Sequence, residues 1–227
     1  MTQPPTSIVL LHGFASTFDH NWRQTGWVDI LADFGCEVPE IDLPGHGSSL
    51  RETDPAGYAD VEAQVYGALP TPGPLSAAGF SAGADLLLRV AIAHPGSFER
   101  IALLGLGDTV FEVGDTSALV NTLASQAEPE DVQARLFHRL ARSTGNSPEA
   151  LSAFMGRERR PIKEEELATL SFPVLVILGE RDMVKSADRL VAALPSATLV
   201  TLPGVDHFAT PSDFGAIDAT IRFFGLG

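Results

Sequence analysis

The sequence predicts an α/β protein built on a parallel sheet, and three observations carry that prediction. Short continuous apolar runs recur along the chain, each run ends in a turn rich in Gly, Pro or Asp, and helical apolar periodicity fills the intervals. The runs are Ser7–Leu11, Cys36–Ile41, Leu75–Gly79, Ile101–Leu104, Pro173–Leu178 and Thr198–Leu202. Segments apolar at successive positions suit strands covered by helices on both faces. Ligands of such sheets are expected at the carboxyl ends of the strands.

Helices are expected over Trp22–Phe34, Tyr58–Leu69, Ala82–Ala93, Ser186–Leu194 and Ser212–Phe224. In the third, Leu86, Leu87, Val90 and Ala91 recur at three-to-four spacing, and His94-Pro95-Gly96 is a stop signal. One stretch breaks the alternation. Gly105 to Ser171 holds no convincing strand, but has helical patterns near Thr116–Ser125, Pro129–Arg142 and Pro148–Met155. Val132, Leu136 and Leu140 make one apolar stripe there, and Leu151, Phe154 and Met155 another. The expectation is one domain, residues 1–227, with a helical lid inserted at about 106–171; so short an insertion would struggle to carry its own core.

Composition bounds the function. The 227 residues are 44% hydrophobic and 19% charged, which excludes disordered, collagen-like and coiled-coil classes. No apolar run approaches the roughly 18–20 residues of a membrane span, and Met1–Ser7 lacks a signal-peptide pattern, so a cytoplasmic location is expected. Fifteen basic against 29 acidic residues give a net charge of −14, so nucleic acid and anionic membrane surfaces are not expected partners. Lys163 and Lys185 are the only lysines, a bias that fits a GC-rich bacterial genome. Cys36, the sole cysteine, allows no internal disulfide and is expected to be buried packing.

Gly79-Phe80-Ser81-Ala82-Gly83 fits the G-x-S-x-G nucleophile elbow. The pattern alone is weak; its setting, with a strand entering and a helix leaving, is what the elbow requires. The glycines allow a tight turn with Ser81 at its apex, and the following helix turns its positive dipole end to the same point. A serine hydroxyl needs a base, and His207 follows the last strand at the same sheet edge. The base needs an acid to fix its tautomer. Asp182 follows the strand Pro173–Leu178 at that edge, while Asp108, which follows Ile101–Leu104, is a competitor. Backbone N–H groups of Phe14 and Ala82 are the candidate oxyanion donors.

Taken together, His12-Gly13-Phe14, the DLPGHGS stretch Asp42–Ser48, GFSAG at Ser81, GERD at Asp182 and VDHF at His207 resemble the α/β-hydrolase fold superfamily. The marks run from residue 12 to 208 in the family's order. The resemblance implies a Ser81–Asp182–His207 triad, carboxylesterase-like chemistry through an acyl-enzyme, and no metal or organic cofactor. It leaves C–C bond or lactone hydrolysis, acyl transfer and a non-catalytic ligand-binding role as alternatives. Serine at position 81 speaks against the epoxide-hydrolase and haloalkane-dehalogenase branches, which use a carboxylate. Only Met1–Thr6 precedes the first strand, where the family usually has two more, so a reduced sheet of about six strands is expected. Ala82 stands where many relatives carry Met, Leu or Gln.

For a small-molecule ester or related acyl substrate, Phe111, Phe137, Phe154 and Met155 of the lid are candidates to face the site, against the plainer reading that several only pack the lid. Arg157, Arg159 and Arg160 form the one dense basic spot. They suit a substrate carboxylate or, with Glu164, Glu165 and Glu166 close behind, a solvated ion-paired surface.

Overall fold

A computed structural model describes residues 7–70, 73–124 and 132–227. Five parallel strands lie side by side in chain order: β1 (Ile8–Leu11), β2 (Leu75–Phe80), β3 (Phe98–Leu104), β4 (Val174–Gly179) and β5 (Ala197–Leu202). The register runs Val9 to Ala77, Ala77 to Ile101, Ile101 to Val174 and Val174 to Ala197.

The sixth expected strand, Cys36–Ile41, is reduced to one parallel bridge between Ser7 and Glu37. The Ile8 amide donates to the Glu37 carbonyl at 2.9 Å. Pro39, two residues on, has no N–H to continue a ladder, so the pairing stops there. Cys36 is buried, as expected.

Continuous apolar strands bury both faces, and the alternation of side chains divides the core. Val9, Leu11, Ala77, Ile101, Leu103, Val174 and Val176 face one cluster; Ile8, Leu10, Ala78, Ala102, Leu104, Leu175 and Ile177 face the other. On the first face pack α2 (Val61–Ala68), α3 (Ala82–Ala93) and α8 (Asp188–Ala193); on the second, α1 (Trp27–Asp33) and α9 (Phe214–Phe223). The helix expected over Trp22–Phe34 is shorter. Gly26 at φ 86° breaks it, leaving a separate turn at Asp19–Arg23 ahead of α1.

Between β3 and β4 the described residues form α4 (Ser117–Ala124), α5 (Val132–Ser143), α6 (Pro148–Gly156) and α7 (Glu164–Leu167), with no strand among them. The starts and ends expected at Pro129 and Ser125 lie outside the described residues. Leu151 and Phe154 bury the inner face of α6, whereas Val132 and Leu136 of the α5 stripe are exposed. The α5–α6 turn is tied to the loop after β1. Asn146 Nδ2 donates to the Ala15 and Ser16 carbonyls at 3.1 and 2.9 Å, and Thr144 Oγ1 donates to the Ala15 carbonyl at 2.9 Å.

Candidate active site

Ser81 occupies the single residue between β2 and α3, at φ 52° and ψ −114°. A non-glycine residue held at positive φ stores strain, and the surroundings must impose it. The Ser81 amide donates to the Leu104 carbonyl of β3 at 2.8 Å, and the Ser81 carbonyl accepts from the Asp85 amide at 3.0 Å. The flanking glycines are needed for space. A Cβ on Gly79 would lie 2.6 Å from the Gly83 carbonyl oxygen, and one on Gly83 would lie 2.3 Å from that of Leu11.

His207 follows β5, and Asp182 follows β4, so the parallel sheet brings both to the Ser81 edge. Ser81 Oγ is 2.9 Å from His207 Nε2, and His207 Nδ1 is 2.9 Å from each oxygen of Asp182. Asp182 is 1% and His207 4% exposed, so the pair is shielded from competing water. An ionised carboxylate only accepts, which places the imidazole hydrogen on Nδ1 and leaves Nε2 to accept from the serine hydroxyl. The Val184 amide donates to Asp182 Oδ1 at 2.8 Å and holds the carboxylate in place. The Phe80 ring lies against His207 at 4.9 Å between centroids.

Asp108, the sequence competitor, is occupied elsewhere: its Oδ1 accepts from the Leu190 amide in α8 at 2.9 Å. Asp206 likewise accepts from the Ala209 amide at 3.0 Å.

The amides of Phe14 and Ala82 have no protein acceptor among the described residues. Ala82 opens α3, where such N–H groups are free by geometry. The peptide that carries the Phe14 amide is held by a side-chain network around His12. His12 Nδ1 donates to the Gly13 carbonyl at 2.8 Å, and the Gly13 amide donates to Asn21 Oδ1 at 2.9 Å. The Leu43 amide donates to His12 Nε2 at 2.9 Å. Burial pushes the His12 pKa down to about 4, against the opposing pull of the Gly13 hydrogen bond and of Asp42, so the ring is neutral near pH 7. Asp42, 3.4 Å from His12 Nε2, is held below the usual carboxylate range despite its own burial because it accepts from the Phe18 amide and from Ser48. Burial, reinforced by His12, pushes His46 down to about 3. The next residue, Ala15, is the other non-glycine at positive φ among those described, so backbone strain gathers at this loop as well as at Ser81. Only the polar residues of the HGF and DLPGHGS stretches signal this network in the sequence.

A family model described as "Alpha/beta hydrolase family" matches residues 8–216. The chain belongs to this family. It is 26% identical to a pimeloyl-[acyl-carrier protein] methyl ester esterase from Nitrosomonas europaea, over 88% of each chain. Its fold is similar to the enol-lactonase from Burkholderia xenovorans LB400, with a TM-score of 0.76, 18% identity and coverage of 98% of this chain and 91% of that one. It is also similar to the 2-hydroxy-6-oxo-6-phenylhexa-2,4-dienoate hydrolase from Rhodococcus sp. strain RHA1, at a TM-score of 0.71, 19% identity and 97% and 91% coverage.

In this α/β hydrolase two cavities meet at Ser81. One, of about 330 Å³, is walled by Ala82, Leu106, Val110, Leu119, Met155 and Arg157; the other, of about 350 Å³, by Ser16, Asn21, Phe80, Leu136, Leu140 and Phe208. Phe14, Ser81, Phe137 and His207 border both. Of the four lid residues expected to face the site, Phe137 lines both cavities, and Phe154 and Met155 line the first. Phe111 lines neither: it is buried in the core, with the Arg189 guanidinium 4.0 Å above its ring. For Phe111 the plainer expectation, packing onto the core, is the one the structure shows.

The three-arginine spot divides. Arg160 makes a two-pronged ion pair with Glu166 at 2.8 Å for each contact, the surface arrangement. Arg157 is buried against Phe154.

Proposed function

We propose that the protein is a serine hydrolase that cleaves a carboxylic ester through an acyl-enzyme on Ser81. The observation that carries this reading is the unbroken hydrogen-bonded chain from Asp182 through His207 to Ser81, at the junction of two cavities. In this reading Ser81 Oγ attacks the ester carbonyl carbon while His207 Nε2 takes its proton. The tetrahedral oxyanion sits between the amides of Phe14 and Ala82. His207 then returns the proton to the departing alcohol oxygen, the carbonyl re-forms, and the acyl group stays on Ser81. Water repeats the sequence with His207 as base and releases the acid. Asp182 holds the Nδ1–H tautomer and stabilises the imidazolium of both steps.

Helices α4–α7 act as the lid of this site, and the strain stored at Ser81 keeps Oγ exposed to the substrate. The similarity to a methyl ester esterase supports ester hydrolysis over the other chemistries that one triad serves. The covalent step is tested directly with a fluorophosphonate probe. The expected result is a single mass adduct on the peptide carrying Ser81, absent in Ser81→Ala; an unmodified wild-type protein contradicts the proposal.

A further inference from the structure

Arg157 presents a buried charge without a countercharge. It follows α6 and is 8% exposed. Its Nη1 donates to the Phe154 carbonyl at 2.5 Å, and its guanidinium carbon lies 3.9 Å from the centre of the Phe154 ring. Among the described residues, no carboxylate stands within 4 Å of it. Its neighbours in the same cavity wall are provided for: Arg89 pairs with Asp85 at 2.9 Å, and Arg160 with Glu166. Asp85 and Glu62 act on Arg157 only from farther off. Burial outweighs them and lowers its pKa to about 10, which leaves it charged at neutral pH.

Burying a cation without an adjacent carboxylate is unfavourable, and an anion bound beside it would relieve that cost. The guanidinium also keeps N–H groups beyond the one given to Phe154, in the fork geometry that matches a two-oxygen anion. It shares this cavity with Ser81 and His207, and Leu106, Val110, Leu119 and Met155 give the lining an apolar part. Glu112 and Asp115 also border the cavity, but they are exposed and their field is screened by solvent.

Resting on the esterase reading above, we propose that this cavity takes the acyl arm of an ester whose far end carries an anionic oxygen group, a carboxylate or a phosphate, which Arg157 binds. The acyl arm is assigned here because Phe14 and Ala82, whose amides are the proposed oxyanion donors, both line this cavity, whereas Ala82 does not line the other. Arg159, partly exposed in the same wall, stands ready as a second cation.

The test compares three methyl esters of equal acyl length, ending in a carboxylate, a phosphate or a neutral carboxamide, by pH-stat hydrolysis. An anionic ester is expected to exceed the carboxamide at least about tenfold in kcat/KM, mostly through KM, and whichever anion gains more identifies the group. In Arg157→Met that ratio falls towards one, in Arg157→Lys it is partly kept, and in Arg160→Met it persists. Thermal melting of each variant confirms that it is folded. Equal rates for charged and neutral esters in the wild type, or a ratio that survives Arg157→Met, overturns the proposal. Hydrolysis of the neutral ester that depends on Ser81 but shows no anionic preference would remove this inference alone. Absence of hydrolysis of all three, with no fluorophosphonate adduct on Ser81, would remove the esterase reading with it.

Discussion

The Leu43 amide donates to Nε2 of His12 at 2.9 Å, and that one contact fixes which nitrogen of the buried ring carries the hydrogen. Since the Leu43 N–H can only donate, Nε2 must accept, and Nδ1 must be the N–H that reaches the Gly13 carbonyl. The Gly13 carbonyl belongs to the same peptide unit as the Phe14 amide. His12 therefore holds the plane of the group that the proposed mechanism turns towards the oxyanion, and by polarising the carbonyl it strengthens the N–H at the other end.

If His12 positions that amide, His12→Ala removes stabilisation that exists only in the transition state. The expected loss is about ten- to a hundredfold in kcat, below the cost of deleting a donor outright, with KM moving less than about threefold. Steady-state kinetics on a soluble ester checks this split. A change confined to KM would assign His12 to substrate binding instead.

The same buried imidazoles make stability depend on pH. In the unfolded chain His12 and His46 take a proton near pH 6.5; in the folded protein they stay neutral down to about pH 4 and about pH 3. Between those limits the unfolded state binds more protons. Stability is therefore greatest above pH 6.5 and falls as the pH drops, by about 1.4 kcal/mol per pH unit for each histidine. Asp42 adds a further loss at lower pH, as the solution falls through its depressed folded-state pKa. Urea unfolding at a series of pH values is expected to show a steep decline from about pH 6.5 to 4.5. An unchanged midpoint across that range would contradict the neutral, buried state of both rings.

Asp182 and Asp108 separate catalysis from packing. Asp182→Asn should cost about 10⁴ in kcat, because the imidazole loses the partner that sets its tautomer. Asp108→Asn should weaken a single hydrogen bond to the start of α8, at about 1 kcal/mol of stability, with kcat within about twofold. Kinetics and thermal melts on the two variants check the assignment. The reverse pattern would exchange their roles.

These aspartates also show where the sequence runs out. Ser81 and His207 were legible because a motif or a strand end fixes each at the carboxyl edge, and a parallel sheet has only one such edge. Asp182 and Asp108 satisfy that criterion equally. What separates them is the path of the turn after each strand, which sends Asp182 to His207 and Asp108 to the Leu190 amide. Periodicity gave the helices but not the break at Gly26, whose positive φ is a property of one residue. The apolar run Cys36–Ile41 read as a strand because hydropathy does not register the N–H that Pro39 lacks. Phe111 and Phe154 look alike in sequence, both aromatic and both in the insertion. Only the packing puts one under Arg189 and the other in the cavity wall. Asn21 carried no signal, since its role is to receive the Gly13 amide across a loop.

The central claim is that Ser81 is the nucleophile of an ester hydrolase. Its most direct test is the hydrolysis of p-nitrophenyl esters, from acetate to laurate, by the wild type and by Ser81→Ala. Turnover is expected in the wild type, falling by at least about 10³ in the variant. Its chain-length optimum would be set by the cavity of about 330 Å³. Turnover that survives Ser81→Ala, or a wild type inert towards every ester in the series, would contradict it.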